Sequence, residues 1–179
     1  MFKRFYPELH RHYQMSLGMA SALVYDGRRP CPALPFATFT LNVDEQCICL
    51  PHIDSKNLAG GLCLASPFGL FDHTQGGHLI LHELKLVLEV PAGASVLFPS
   101  AIITHENVPI ADHECRQSIT AYTPGGLFQW LDHGFKVPNA KQSNFLKKLI
   151  ISKLIYRYGG DVWRRTIRLL PHINTISYL

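Results

Sequence analysis

The chain has 179 residues, 47% hydrophobic and 17% charged, with a formal charge of +4, which describes one folded domain with its own core and excludes a disordered chain. No apolar run reaches the roughly 18 residues that span a bilayer, and the start MFKRFYPELHRHY has no apolar core of a secretion signal, so no membrane partner and an intracellular location are expected. The charge is uneven: residues 1–138 carry nine Lys/Arg against twelve Asp/Glu, whereas residues 139–179 carry eight against one. A basic end of this kind suits an anionic partner, or else a solvated helix face.

In chain order, Pro7 opens a helix with an apolar stripe of Leu9, Tyr13, Leu17 and Val24. Asp26-Gly27 and then Pro30, Pro32 and Pro35 end it, so 1–35 reads as a helix and a loop. From Phe36 the period becomes that of strands. Phe39, Leu41 and Val43 alternate with Thr38, Thr40 and Asn42. Further strands are expected at 47–50, 61–66, 78–81, 86–90, 95–98, 102–106 and 116–123, punctuated by Gly69, Gly76-Gly77, Gly93 and Pro99. Gly125-Gly126 turns into Leu127–Leu131. About eight short strands over residues 36–135 fit a mainly β jelly roll, the double-stranded β-helix, better than an immunoglobulin-type sandwich. After Pro138 the pattern is helical again: Phe145, Leu146, Leu149, Ile150, Leu154, Ile155 and Tyr158 share a face, and a second short helix follows Asp161. The whole, 1–179, reads as a single domain with a basic helical tail at 139–179. The quick entry into the fold is what a fragment of a longer protein would also show.

The chemistry is carried by His52-Ile53-Asp54, a distant His105, and Arg116-Gln117-Ser118. Side chains two apart on an extended strand point the same way, so His52 and Asp54 can reach one metal. With His105 they make two histidines and a carboxylate, the facial triad that holds non-haem Fe(II) and leaves coordination positions open. Arg116 offers a planar fork to a carboxylate, and Ser118 lies on the same strand face. Asn42, Thr40, Thr120 and Tyr122 fall on faces that can line the same pocket, or are polar groups satisfied inside the barrel. The plain alternative is a loop pair at 52–54 and a core or capping His105. Two lesser sites were weighed. Cys47-x-Cys49 lacks a second cysteine pair for zinc and reads as two small apolar side chains. His78 and His82 lack a third ligand and read as solvent-facing. The five cysteines, Cys31, Cys47, Cys49, Cys63 and Cys115, are odd in number and read as free thiols.

The ordered set H-x-D, distant His, R-x-S resembles that of the 2-oxoglutarate/Fe(II)-dependent dioxygenases. The stretches FDHTQGGHLILHELKLVLEVPAG (71–93), LFPSAIITHENVP (97–109), RQSITAYTPGGLFQW (116–130) and DHGF (132–135) resemble the core of fungal TET/JBP-like oxygenases. The resemblance implies His52, Asp54 and His105 as iron ligands. It implies Arg116 as the anchor of the far carboxylate of 2-oxoglutarate, with Ser118, Asn42 and Tyr122 as cosubstrate contacts. It implies O2 as the second cosubstrate, and loss of CO2 coupled to attack on an unactivated C–H bond. For the substrate it implies a methylated base in DNA, of the 5-methylcytosine type, and hence a nuclear protein. A TET-type cysteine-rich zinc region is missing, since five scattered cysteines cannot build it. Two further readings stay open: a protein hydroxylase of the prolyl type using the same chemistry, and a catalytically silent copy that only binds nucleic acid.

Overall fold

The computed structural model describes residues 1–24, 28–29 and 32–135. The expected helices at 142–158 and after Asp161, and the cationic tail that they carry, lie outside the described residues. Two helices, α1 (Phe2–Phe5) and α2 (Pro7–Val24), precede seven strands: β1 (Thr38–Asn42), β2 (Cys63–Leu70), β3 (Leu79–Leu81), β4 (Leu86–Leu88), β5 (Val96–Phe98), β6 (His105–Asn107) and β7 (Cys115–Tyr122). Helix α3 (Gly125–Asp132) follows. Among the described residues no helix is long and apolar enough to cross a membrane.

The strands form two sheets, ordered β1-β7-β2-β5 and β4-β3-β6, with every pair antiparallel. The expected strand at 47–50 is not a regular strand. Gln46 makes an isolated bridge to Arg116, and His52 makes one to His105. Between them the side chain of Asn107 does part of a ladder's work: its Oδ1 accepts from the Cys49 amide at 2.7 Å, and its Nδ2 donates to the Cys47 carbonyl at 3.2 Å. Side-chain amides satisfy the backbone there, so the segment stays extended without regular pairing. Its bridge to β6 still places it beside the smaller sheet, as that sheet's fourth member. Counting it gives two four-stranded antiparallel layers in which the first and last strands are neighbours, a jelly roll.

The two layers enclose a core of Cys63, Leu79, Leu81, Val90, Phe98 and Ile103. A second core lies under the helices, where Phe2, Tyr13, Phe36 and Phe128 pack with Ala121, which is fully buried. Helix α1 was not legible in the sequence, yet its Phe2 stacks on Phe36 with ring centroids 5.6 Å apart and meets Tyr13 edge-on at 5.5 Å. Gly125-Gly126 leads into a helix because Leu127, Phe128 and Leu131 recur at helical spacing, and Phe128 and Leu131 are buried.

On β1 the faces are distributed by the needs of the interior. Thr40 and Asn42 turn into the cavity between the layers. Phe39, Leu41 and Val43 consequently face outward and are exposed. The four described cysteines outside the masked stretches, Cys47, Cys49, Cys63 and Cys115, are free thiols.

Candidate functional site

His52 and His105 exchange backbone hydrogen bonds, His52 N to His105 O at 3.1 Å and His105 N to His52 O at 2.9 Å. Directly opposed residues of an antiparallel pair carry their side chains on the same face, and the two imidazoles stand 4.3 Å apart between centroids. Asp54 comes two residues later, its amide held by the Ser100 carbonyl at 2.9 Å. Its Oδ1 lies 3.6 Å from His52 Nε2. Ligand atoms of His52, Asp54 and His105 all fall within 4.8 Å of one another, and this is the sole such group of three among the described residues.

Both ring tautomers are set by the backbone. His105 Nδ1 is 2.9 Å from the Ile103 carbonyl, and His52 Nδ1 is 2.8 Å from the Leu50 carbonyl. A carbonyl only accepts, so each Nδ1 carries the hydrogen and each Nε2 keeps its lone pair. The third donor is oriented in the same manner: Asn57 Nδ2 donates to Asp54 Oδ2 at 3.1 Å and is fixed by Ser100 Oγ at 3.2 Å. Such outer contacts are what orient ligands at metal sites. Burial pushes His105 below its usual pKa, with the neighbouring His52 adding to the fall. Both favour the neutral, ligating form.

This donor set fits a divalent ion. Two nitrogens and one carboxylate on one side, with an open cavity on the other, are the facial arrangement that suits Fe(II). Bonds of about 2.0–2.2 Å to such ligands require the three side chains to draw closer together than they stand here. His52, exposed over 41% of its side-chain surface, has the freedom to do so.

The cavity has a volume of about 520 Å³ and is lined by all three residues together with Arg116, Ser118, Asn42, Thr40, Thr120 and Tyr122. β7 accounts for much of this: Arg116, Ser118, Thr120 and Tyr122 alternate along it and share its inner face. The register Asn42↔Ser118 and Thr40↔Thr120 brings the β1 side chains beside them. Asn42 Nδ2 donates to Ser118 Oγ at 2.9 Å, leaving the serine hydroxyl hydrogen to donate elsewhere. Tyr122 Oη and Thr40 Oγ1 are 3.3 Å apart. Each residue singled out in the sequence is therefore at this cavity.

Arg116 is 8% exposed. Its Nε is buried with no hydrogen-bond partner, and burial lowers its pKa from the usual arginine value. A buried, unpaired cation is costly, and here it faces a cavity large enough for a small anion. Such an arrangement binds a carboxylate.

His82 and His78 build no second site. His82 Nε2 pairs with Glu106 Oε1 at 2.8 Å. Cys49 is the cysteine nearest the triad, with Sγ 3.5 Å from His52 Nδ1, and burial raises its pKa. Sequence reasoning missed Asn57, Ser100 and Asn107. Only the loop position of Asn57 near His52-x-Asp54 gave any signal, and an asparagine in a loop is too common to stand out.

No family model matches the chain, and no curated protein does. Among solved structures it is similar to NgTET1 in complex with 5mC DNA, at 21% identity, covering 51% of this chain and 35% of that one with a TM-score of 0.44. It is also similar to a viral collagen prolyl hydroxylase of Paramecium Bursaria Chlorella virus-1 in a 2OG complex, at 12% identity, covering 48% of this chain and 60% of that one with a TM-score of 0.35. The chain thus matches well under two thirds of the length of either protein.

Proposed function

We propose that this protein is an Fe(II)- and 2-oxoglutarate-dependent oxygenase. The observation that carries the reading is the placing of an unpaired, buried Arg116 in one cavity with the His52, Asp54 and His105 donor set. A metal site with open positions and a cation set apart from it suit a ligand that chelates at one end and is anionic at the other. 2-Oxoglutarate has that form: a 2-keto acid for the metal, and a second carboxylate for Arg116 and Ser118.

The residues have separable tasks. His52, Asp54 and His105 would hold Fe(II), which when bound supplies oxidation of a C–H bond by O2 coupled to loss of CO2 from 2-oxoglutarate. Arg116 neutralises the far carboxylate and fixes the cosubstrate's orientation. Ser118 donates its hydroxyl hydrogen to the same carboxylate, its oxygen already held by Asn42. Tyr122, Thr40 and Thr120 present hydroxyls along the wall.

For the substrate we propose a methylated base of the 5-methylcytosine type in DNA, which would place the protein in the nucleus. The sequence resemblance of residues 71–135 and the eight cations against one anion at 139–179 support this reading. A base stacked in a duplex cannot reach ligands inside a jelly roll, so it must be flipped out. The test is incubation of purified protein with Fe(II), 2-oxoglutarate and methylated or unmethylated DNA, read by nucleoside mass spectrometry. Oxidised methylcytosine in the methylated DNA alone is the expected result. Hydroxylated peptides without oxidised DNA overturn the substrate and favour a protein hydroxylase. Turnover of neither, beside normal binding of 2-oxoglutarate, favours a silent copy.

A further inference from the structure

Arg116 is held by groups that leave its charge free. Its main chain is pinned on both sides, Arg116 N to Glu45 O at 2.8 Å and Cys47 N to Arg116 O at 3.3 Å. No carboxylate among the described residues is ion-paired with its guanidinium. Instead Cζ lies 5.8 Å from the centroid of the Phe71 ring. On the neighbouring side is the backbone of Gly77, at φ +70, so close that a Cβ there would meet Arg116 Cδ at 2.9 Å, Arg116 Nε at 3.0 Å and Phe71 Cε2 at 3.1 Å. Gly77 cannot easily retreat. Its amide donates to the Val108 carbonyl at 3.1 Å, and a Cβ on Gly76 would meet the Pro109 carbonyl oxygen at 2.6 Å.

An acidic partner would orient the arginine well but would occupy the N–H fork and cancel the charge. An aromatic face attracts the cation without accepting any of those hydrogens in the guanidinium plane. We infer that Phe71 and Gly77, at the two ends of the loop between β2 and β3, are positioning residues that hold the Arg116 guanidinium for the far carboxylate of a 2-oxo dicarboxylic acid. This rests on the proposed function, since it is the cosubstrate of that site that Arg116 would receive. Gly77 supplies the room and Phe71 supplies the surface; neither touches the metal ligands.

The test compares two ligands of equal length on the Fe(II)-loaded, oxygen-free full chain: 2-oxoglutarate and 2-oxopentanoate, in which a methyl group replaces the far carboxylate. Binding is followed by calorimetry. Phe71→Leu is expected to raise the Kd for 2-oxoglutarate by about 3- to 30-fold, the range of a lost cation–π contact, while leaving the Kd for 2-oxopentanoate and for Fe(II) unchanged. Phe71→Tyr keeps an aromatic face and should restore the parent value. Gly77→Ala should weaken 2-oxoglutarate in the same selective manner, and its melting curve shows whether it folds. A merely structural role would shift both ligands together, or the Fe(II) affinity. Equal shifts, or an unchanged ratio of the two affinities in Phe71→Leu, overturn the inference and leave the oxygenase reading standing. A parent chain that binds Fe(II) but not 2-oxoglutarate overturns both.

Discussion

The amide and carbonyl of His52 both pair with those of His105, at 3.1 and 2.9 Å. That one bridge turns a histidine in an irregular segment and a histidine in a strand into neighbours, with both Nε2 atoms free. It makes the donor set a consequence of sheet geometry, with Asp54 brought in by the turn that follows.

The metal site should depend on its three ligands and, less steeply, on what orients them. His105→Ala and Asp54→Ala should each abolish tight Fe(II) binding, because two remaining ligands hold the ion poorly. Asn57→Ala removes the bonds to Asp54 Oδ2 and Ser100 Oγ and should weaken binding by about 10- to 100-fold. Anaerobic titration with Fe(II) or Co(II) measures this. Parent-like affinity in both ligand variants would remove the triad from its role.

Arg116→Ala should raise the Kd for 2-oxoglutarate strongly and leave Fe(II) binding nearly intact. Loss of one partner of a buried, charge-assisted pair costs on the order of 2–5 kcal/mol. The visible band of the anaerobic Fe(II)–2-oxoglutarate complex gives both constants in one titration. An Arg116→Ala chain with parent affinity would mean that the far carboxylate binds elsewhere.

Alkali should unfold the protein through Tyr13 and Cys63. Burial pushes the Tyr13 phenol up to about 12 and the Cys63 thiol up to about 11. In the unfolded chain these groups lose their protons near 10 and 9, so there the unfolded state binds fewer protons than the folded one. Stability is therefore fully present below pH 9 and falls as pH rises toward 12, with a limiting slope of about 1.4 kcal/mol per pH unit for each group. Tyr13→Phe should flatten the fall between pH 10 and 12. It should also lower stability at neutral pH by about 1–3 kcal/mol, because the hydroxyl accepts from the Leu62 amide at 3.1 Å. Urea unfolding at several pH values checks both, and an unaltered pH slope in Tyr13→Phe would show that the phenol titrates freely.

The cationic end can be tested from its charge alone. Each phosphate neutralised on duplex DNA contributes a slope of about −0.9 to the salt dependence of binding. Replacing Lys147, Lys148, Arg164, Arg165 and Arg168 by Gln should lower DNA affinity and flatten that slope without altering 2-oxoglutarate binding. Fluorescence anisotropy across a salt series measures it. Identical slopes would withdraw the charge-based support for a DNA substrate.

The sequence by itself determined the residues of chemistry and the class of fold. His52-x-Asp54 and Arg116-x-Ser118 were legible because a strand's period of two puts such pairs on one side, and the glycine and proline punctuation marked out short strands. What surrounds those residues was decided only by the tertiary structure. Cys47–Leu50 has the pattern of a strand, but Asn107, far along the chain, takes over part of its hydrogen bonding. Asn57 and Ser100 became the support of Asp54, and Phe71 and Gly77 the walls of Arg116, through contacts between segments distant in sequence. Even the polarity of β1 was settled this way, since its threonine and asparagine face inward only because β7 lays Ser118 and Thr120 opposite them. A local pattern encodes which side chains share a face. It does not encode what the other layer will present to that face, and the orientation of a ligand or a cation is set by those neighbours.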